Sequence, residues 1–228
     1  VADNTNLDRE AYASFALTVQ VSDGTNTDTA TITVNVTDVN EFTPVANDAT
    51  VALTENSANG TSVHSVVATD ADPGATLTYS ITGGNGAGVF AINSGTGVIT
   101  VADNTNLDRE AYASFALTVQ VSDGTNTDTA TITVNVTDVN DTAPVAIDAT
   151  VALTENSPDG TSVHTVVATD ADPLTTLTYA ITGGNGAGVF AINSVTGEIT
   201  VADNTNLDRE AYASFALTVQ VSDGTNTD

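Results

Sequence analysis

The stretch Phe115-Ala116-Leu117-Thr118-Val119-Gln120-Val121 decides the fold, because large apolar side chains alternate strictly with smaller or polar ones. The same alternation recurs over residues 130–136, and Asp123-Gly124 marks a turn between the two runs. A period of two is typical of strands with one buried and one solvated face. The two runs therefore predict a pair of half-buried antiparallel strands.

Shorter runs upstream extend this pattern over a whole domain. Residues 49–54, 77–81, 90–92 and 97–101 read as further short strands between turn signals. The apolar spacing after Val63 predicts a β-bulge near His64-Ser65. Seven short strands in about a hundred residues, without helical periodicity, indicate an all-β, seven-stranded Greek-key β-sandwich of the immunoglobulin-like kind. The glycine-rich residues 83–88 are expected to form a mobile surface loop.

The sequence repeats with a period of 100 residues. Residues 1–28 recur unchanged at 101–128 and 201–228, and residues 41–100 match 141–200 at all but twelve positions. Such a period predicts a linear array of similar sandwiches. The expected domains are the last part of one repeat with its linker (1–44), a complete repeat (45–140), a linker (141–144), and a repeat without its last strand (145–228).

This last repeat is expected to have an exposed edge beside residues 215–223, because nothing in it corresponds to residues 129–140. Further residues of a longer natural array would cover that edge in cis. Residues 29–40 carry the same sequence as 129–140, so a second copy could also cover it in trans.

Composition limits the partners of the chain. There are 29 acidic residues, three arginines and no lysine, which gives a formal charge of −26. This charge excludes nucleic acid and anionic membranes as partners, and no apolar run is long enough to insert into a membrane. Cysteine is absent, so disulfides and thiolate metal sites are excluded. The pattern favours a soluble domain that binds cations.

The acids concentrate at the junctions between repeats, as in Asp138-Val139-Asn140-Asp141-Thr142-Ala143-Pro144. Proline ends the stretch because it cannot continue a strand ladder. Two carboxylates about 4 Å apart repel each other by about 4 kcal/mol at an effective dielectric of 20. Clustered acids without lysine therefore indicate either a solvated acidic surface or bound cations. Carboxylate, amide and carbonyl oxygens suit Ca²⁺, whereas Mg²⁺ demands stricter geometry and Zn²⁺ lacks its preferred ligands.

Six motifs occur in the order in which they appear in a cadherin repeat. They are Glu55-Asn56, Asp70-Ala71-Asp72, Phe90-x-Ile92 with Thr96-Gly97-x-Ile99, Leu107-Asp108-Arg109-Glu110, Val121-x-Asp123-x-Thr125, and Asp138-x-Asn140-Asp141-x-x-Pro144. The ordered set covers the whole repeat. It resembles the bacterial cadherin-like repeats of large surface adhesins and extracellular filament proteins more than the animal junction cadherins.

The resemblance implies Ca²⁺ between consecutive repeats. At the second junction the implied ligands are Glu55, Asp108, Glu110, Asp138, Asn140 (through its carbonyl), Asp141, Asp170, Asp172 and Asp223. At the first junction they are Asp8, Glu10, Asp38, Asn40, Glu41, Asp70, Asp72 and Asp123. Glu41 stands where the second junction has Asp141, so the first linker is expected to bind more weakly or with different coordination.

Two functions remain open, and neither is enzymatic. The first is a calcium-rigidified structural or adhesive repeat of a bacterial extracellular surface protein or filament, serving as a stalk or in cell–cell or biofilm adhesion. Neighbouring repeats and identical chains would then be its partners. The second is a calcium-dependent module that binds cell-surface polysaccharide. A sugar site is expected to expose an aromatic platform, for which Tyr112 and Phe42 are the candidates. Near-identical repeats favour the first function.

Overall fold

The computed structural model describes residues 4, 5, 7–173 and 175–228. The chain divides into two units, the first ending at Thr137 and the second comprising Asp138–Asp228. Helical residues in the described chain are confined to two short 3₁₀ turns, Asn104–Asn106 and Asn204–Asn206. None of the described helices is long and apolar enough to cross a membrane. The prediction of an all-β chain is confirmed.

The first unit begins with an isolated hairpin of strands β1 (Ser14–Ser22) and β2 (Thr27–Asn35). The two strands pair antiparallel, with Ser14 opposite Asn35 and Ser22 opposite Thr27. Their apolar side chains remain largely exposed, including Ile32 at 49% and Val34 at 43%. This segment of the repeat therefore lacks a core of its own.

The complete repeat follows in the same unit. Its strand segments are β3 (Val45–Ala46), β4 (Ala49–Thr54), β5 (Ser62–Ser65), β6 (Ala68–Thr69), β7 (Thr78–Gly83), β8 (Phe90–Ile92), β9 (Val98–Val101), β10 (Ser114–Ser122) and β11 (Thr127–Thr137). One sheet has the order β4-β11-β10-β7, another has the order β5-β9-β8, and β3 pairs with β6. Because β3 with β4 and β5 with β6 each form one interrupted strand, the segments correspond to the seven strands of the expected sandwich.

The core lies between the two sheets. Leu117 and Ile132 from one sheet and Ile99 from the other are fully buried. The rings of Phe90 and Phe115 meet edge to face with centroids 5.1 Å apart. Burying such side chains contributes about 1.5–3 kcal/mol each, which is why the alternating apolar residues of β10 and β11 dominate the fold.

Two local features differ from the sequence predictions. The bulge in β5 lies between Ser62 and His64, slightly earlier than expected. The glycine-rich loop is held in place: the side chain of Asn85 donates to the carbonyl of Phe90 over 2.7 Å and accepts from its N–H over 3.0 Å. A Cβ on Gly84 would lie 1.8 Å from the carbonyl oxygen of Ala116. The prediction of a mobile loop without pinning side chains was therefore wrong.

The edge strand β4 depends on the last strand of the repeat. It runs parallel to β11, with Ala49 opposite Ile132 and Thr54 opposite Thr137. The N–H of Glu55 extends this pairing by donating to the carbonyl of Thr137 over 3.0 Å. The first and last strands of the repeat thus close one edge together.

The second unit reproduces most of the sandwich. Its strands are β12 (Val145–Ala146), β13 (Ser162–Thr165), β14 (Ala168–Thr169), β15 (Thr178–Gly183), β16 (Phe190–Ile192), β17 (Glu198–Val201) and β18 (Thr218–Ser222). The residues that correspond to β4, numbers 149–154, form no strand although the structure describes them all. Their alternation is the same as in β4, but no described residue of the second unit pairs with them in a sheet.

Candidate metal centre

The turn after β6 places two aspartates beside the first linker. The N–H of Asp72 donates to Oδ1 of Asp70 over 2.9 Å. The N–H of Phe42, in the linker, donates to Oδ2 of Asp72 over 2.9 Å. Asp72 is only 4% exposed. Charge-assisted hydrogen bonds of this kind fix the orientation of a carboxylate, so the Asp72 side chain is held between its own turn and the linker.

The hairpin turn between β10 and β11 contributes Asp123. Its Oδ1 accepts from the N–H groups of Thr125 and Asn126, both over 2.6 Å. The bond from Asn126 is the main cause that holds the pKa of Asp123 below its usual value. The side chain of Asn40, in the linker, donates to the carbonyl of Asp123 over 3.3 Å. Asp123 is therefore an ionised carboxylate next to the linker.

Two groups of acids result, and Asp72 belongs to both. One carboxylate oxygen from each of Asp70, Asp72 and Asp123 lies within 4.8 Å of the other two, and the same holds for Glu10, Asp38 and Asp72. Oxygens that bind one Ca²⁺ lie about 2.4 Å from it, so they are at most about 4.8 Å apart. Both groups have the spacing that a shared ion requires.

Some of these oxygens are buried without a donor. Oε1 of Glu10 and Oδ2 of Asp70 have no hydrogen-bond partner within the described chain. Burial, followed by a hydrogen bond with the Asp38 carboxyl group, raises the pKa of Glu10 to about 7. An unsatisfied buried carboxylate oxygen is costly, and an oxygen-seeking cation would satisfy it. The donor set, all oxygen, fits Ca²⁺.

The second linker repeats this geometry within the second unit. The N–H of Thr142 donates to Oδ2 of Asp172 over 2.9 Å, and the N–H of Asp172 donates to Oδ1 of Asp170 over 3.0 Å. The side chain of Asn140 donates to the carbonyl of Asp223 over 3.3 Å, whose Oδ1 accepts from two N–H groups of its own turn.

The same unit also contains buried carboxylate oxygens that lack donors. Oδ1 of Asp138 and Oδ2 of Asp170 have no hydrogen-bond partner among the described residues. The pKa of Asp172 is raised, chiefly by burial and then by the negative charges of Asp170, Asp138 and Asp141, against the bond from Thr142. The second linker therefore gathers the same kind of acidic oxygens as the first.

The Leu-Asp-Arg-Glu turn positions the remaining acids. Oδ1 of Asp108 accepts from the N–H groups of Glu110 and Ala111 over 2.9 and 3.0 Å, and Asp8 makes the same bonds in the first hairpin segment. Glu55 is 3% exposed, and its Oε2 accepts from the N–H of Arg109 over 2.6 Å.

In the second unit the corresponding acids form a group of their own. One carboxylate oxygen from each of Glu155, Asp208 and Glu210 lies within 4.8 Å of the other two. The hydrogen bond between the Asp208 and Glu210 side chains is the main cause that lowers the pKa of Asp208 and raises that of Glu210.

Two outcomes differ from a simple transfer of the motifs. Glu41 is exposed and lies outside the two acid groups at the first linker. Asn126 was not identified from the sequence, yet its side chain donates to the carbonyl of Phe42 over 2.8 Å and ties the β10–β11 turn to the linker. The Asp-Gly-Thr-Asn turn that contains it was visible, but its tertiary partner was not.

Sandwiches joined by acid-rich linkers define a class of tandem-repeat extracellular domains. The chain belongs to the cadherin family: the family model described as "Cadherin domain" matches residues 49–137 and 149–228. In the relatives that the chain matches, such repeats belong to extracellular adhesion proteins and not to enzymes.

Known proteins resemble nearly the whole chain. It is 39% identical to Protocadherin-like wing polarity protein stan of Drosophila melanogaster over 96% of its length, which is 6% of that protein. It is 38% identical to Protocadherin Fat 1 of Homo sapiens over 95% of its length and 5% of that protein. The solved protocadherin gammaB7 EC3-6 cis-dimer superposes with a TM-score of 0.76 at 29% identity, over 97% of this chain and 58% of that one.

Proposed function

We propose that this chain is a calcium-rigidified structural and adhesive segment of a bacterial extracellular surface protein or filament. One observation carries the calcium assignment: Asp72 is shared by two groups of carboxylates within 4.8 Å of one another, and buried oxygens of Glu10 and Asp70 lack donors within the described chain. Without a cation, such a cluster is electrostatically unfavourable.

The ligands come from three separate parts of the first unit. Glu10 lies in the turn before β1, Asp38 in the linker after β2, and Asp70, Asp72 and Asp123 in turns of the complete repeat. Ions bound here would connect one repeat to the next through the linker. The Asn40 carbonyl is a further donor in this proposal. The hundred-residue repeat makes Glu110, Asp138 and Asp172 the counterparts of Glu10, Asp38 and Asp72. We propose them as ligands by this sequence equivalence.

The repeats themselves support a structural role in a long surface protein. Residues 1–28 recur without change at 101–128 and 201–228, so the repeats present equivalent surfaces rather than one specialised site. Repetition of this kind suits a spacer or a filament, whose length depends on the number of units. The bacterial origin is inferred from the motif pattern alone, whereas the relatives named above are animal proteins.

The aromatic residues do not favour the alternative of a polysaccharide site. Tyr112 is 42% exposed and recurs as Tyr12 and Tyr212, but its ring packs against Phe115 with centroids 5.2 Å apart and a 32° angle between planes. Phe42 remains an exposed ring in the first linker, and its counterpart in the second linker is Thr142. A sugar platform that every repeat uses would be expected to recur.

Calcium titration tests the proposal. Small-angle scattering should show longer dimensions in Ca²⁺ than in excess chelator, and calorimetry should show binding that Mg²⁺ does not reproduce. Glu10→Gln should weaken the binding, whereas Glu198→Gln, the same change on strand β17, should leave it unaltered. Dimensions and melting temperature that are identical with and without Ca²⁺ would overturn the proposal.

The two linkers offer a second test. Glu41 stands at the position equivalent to Asp141 in the second linker, so Glu41→Asp should strengthen binding at the first linker if the shorter side chain reaches the ion. Unchanged affinity would show that this position does not distinguish the two junctions.

A further inference from the structure

The backbone of one linker residue, Phe42, lies between two turns that carry acids of the candidate metal centre. Its N–H donates to Oδ2 of Asp72, in the turn after β6, over 2.9 Å. Its carbonyl accepts from the side chain of Asn126, in the β10–β11 turn, over 2.8 Å. Phe42 therefore bridges the turn that supplies Asp70 and Asp72 and the turn that supplies Asp123.

Asn126 connects this bridge to the carboxylate of Asp123. The N–H of Asn126 donates to Oδ1 of Asp123 over 2.6 Å, and its carbonyl accepts from the N–H of Asp123 over 3.3 Å. The hydroxyl of Ser122 donates to the same carbonyl over 3.1 Å. The side-chain group that contacts the linker is an NH₂ donor, which cannot itself bind a cation. Asn126 thus acts on Asp123 and on the linker without being a ligand.

The same bridge occurs at the second linker, although the linker sequence there is different. The N–H of Thr142 donates to Oδ2 of Asp172 over 2.9 Å, and its carbonyl accepts from the side chain of Asn226 over 3.3 Å. Residues 41–43 and 141–143 differ at every position. Because the bridge uses only backbone atoms of the linker residue, it does not depend on the side chain at that position.

We propose that Asn126 and Asn226 are positioning residues for the Ca²⁺ ions of the two linkers. The inference rests on the proposed calcium function and adds residues that touch no ion. Asp72 and Asp123 come from different turns, yet their carboxylate oxygens lie within 4.8 Å of each other, as a shared ion requires. The bridge holds the two turns together through the linker backbone, so less conformational freedom is lost when an ion binds and the affinity is higher.

Nuclear magnetic resonance of the chain of residues 1–228 tests the inference, because Phe42 and Thr142 give distinct amide signals and each reports on one linker. Titration with Ca²⁺ yields a Kd for each signal. Asn126→Ala should raise the Kd at Phe42 about fivefold, the factor that one neutral hydrogen bond supports, and leave the Kd at Thr142 unchanged. Asn226→Ala should have the reverse effect, so each variant is the control for the other linker.

A role in stability alone predicts a different result. Asn93→Ala is the matched control, because the Asn93 side chain also holds a turn, accepting from the N–H groups of Gly95 and Thr96 over 3.0 Å each. It should lower the melting temperature in chelator without changing either Kd. The backbone of Asn126 is not left-handed, so alanine is compatible with this turn. Asn126→Ser, whose side chain is too short to reach the linker but suits a turn, should give the same fivefold change and replaces Asn126→Ala if that variant does not fold.

The outcomes separate this inference from the proposed function. If both amide signals respond to Ca²⁺ but the Asn126 variants leave the Kd at Phe42 unchanged, the inference is wrong and the calcium assignment stands. A rise in Kd of the same size in Asn93→Ala would also overturn it, because the effect would then follow from stability. If neither amide of the unmodified chain responds to Ca²⁺, the proposed function fails and the inference fails with it.

Discussion

Replacing Asp72 by asparagine should stabilise the first unit in chelator and destabilise it in Ca²⁺. Asparagine keeps the shape of the side chain and can still accept the hydrogen bond from the N–H of Phe42, which Oδ2 of Asp72 accepts over 2.9 Å. The substitution therefore tests the charge of Asp72 with little change in packing.

The magnitude follows from the spacing of the two acid groups. A carboxylate oxygen of Asp72 lies within 4.8 Å of its neighbours in both groups, and two unit charges at that distance repel by about 3.5 kcal/mol at an effective dielectric of 20. Screening by salt and the partial protonation of Glu10, whose pKa is raised to about 7, reduce this repulsion, so we expect a gain of about 1–2 kcal/mol in chelator. In 10 mM Ca²⁺, a site with a dissociation constant near 10⁻⁴ M contributes about 2.7 kcal/mol. Loss of one or both ions therefore outweighs that gain.

Calorimetric melting of both proteins, each in chelator and in 10 mM Ca²⁺, measures the reversal. Asp148→Asn removes one exposed charge elsewhere and serves as the control, with a small effect of the same sign in both buffers. If Asp72→Asn changes stability in the same direction with and without Ca²⁺, the side chain is not an ion ligand and the assignment of both groups fails.

Two further predictions concern the sandwich itself. Gly84→Ala should cost more than about 2 kcal/mol in urea unfolding, because the backbone has φ +77° and the new Cβ would lie 1.8 Å from the carbonyl oxygen of Ala116. Gly86→Ala has open space around it and should cost less than about 1 kcal/mol; equal losses would contradict this. The hydrogen bond that Ala46 N–H donates to Asp128 over 2.8 Å is the main cause that lowers the pKa of Asp128. Because the folded pKa is the lower one, this stabilisation is present above the usual value of 3.8 and is lost as the pH falls through the folded value. Asp128→Asn should therefore cost about 1–2 kcal/mol at pH 7 and progressively less as the pH falls below 3.8, and a difference that does not change with pH would contradict it.

The strands that have a clear period of two could be predicted from the sequence. Phe115–Val121 lies within β10 and residues 130–136 lie within β11, because alternating burial is a local signal that one sheet face enforces. Residues 149–154 show where that signal fails. Their pattern is that of β4, but a strand needs a partner, and the partner of β4 is 83 residues away at the Ala49–Ile132 pair.

The acids of the candidate metal centre were identified from motifs, but the sequence could not show which of them lie close together. Asp72 belongs to both groups because the linker folds over the turns after β6 and β10. The roles of the Asn126 and Asn85 side chains were missed for the same reason, since each side chain bonds to backbone that the sequence does not identify as its neighbour. The calcium ligands remain predictions until the titrations are done.

The parallel pairing of β4 with β11 has a consequence for synthesis on the ribosome. The first strand of the complete repeat leaves the ribosome about 83 residues before its partner, which at 5–20 residues per second is a delay of about 4–17 s. During this time the edge strand has no stable position, while the last strand of the preceding repeat, which has the same sequence as β11, has already been made. Because the chain is made from its N-terminal end, the first strand of each new repeat is exposed to pairing with the last strand of the preceding repeat before its own partner exists.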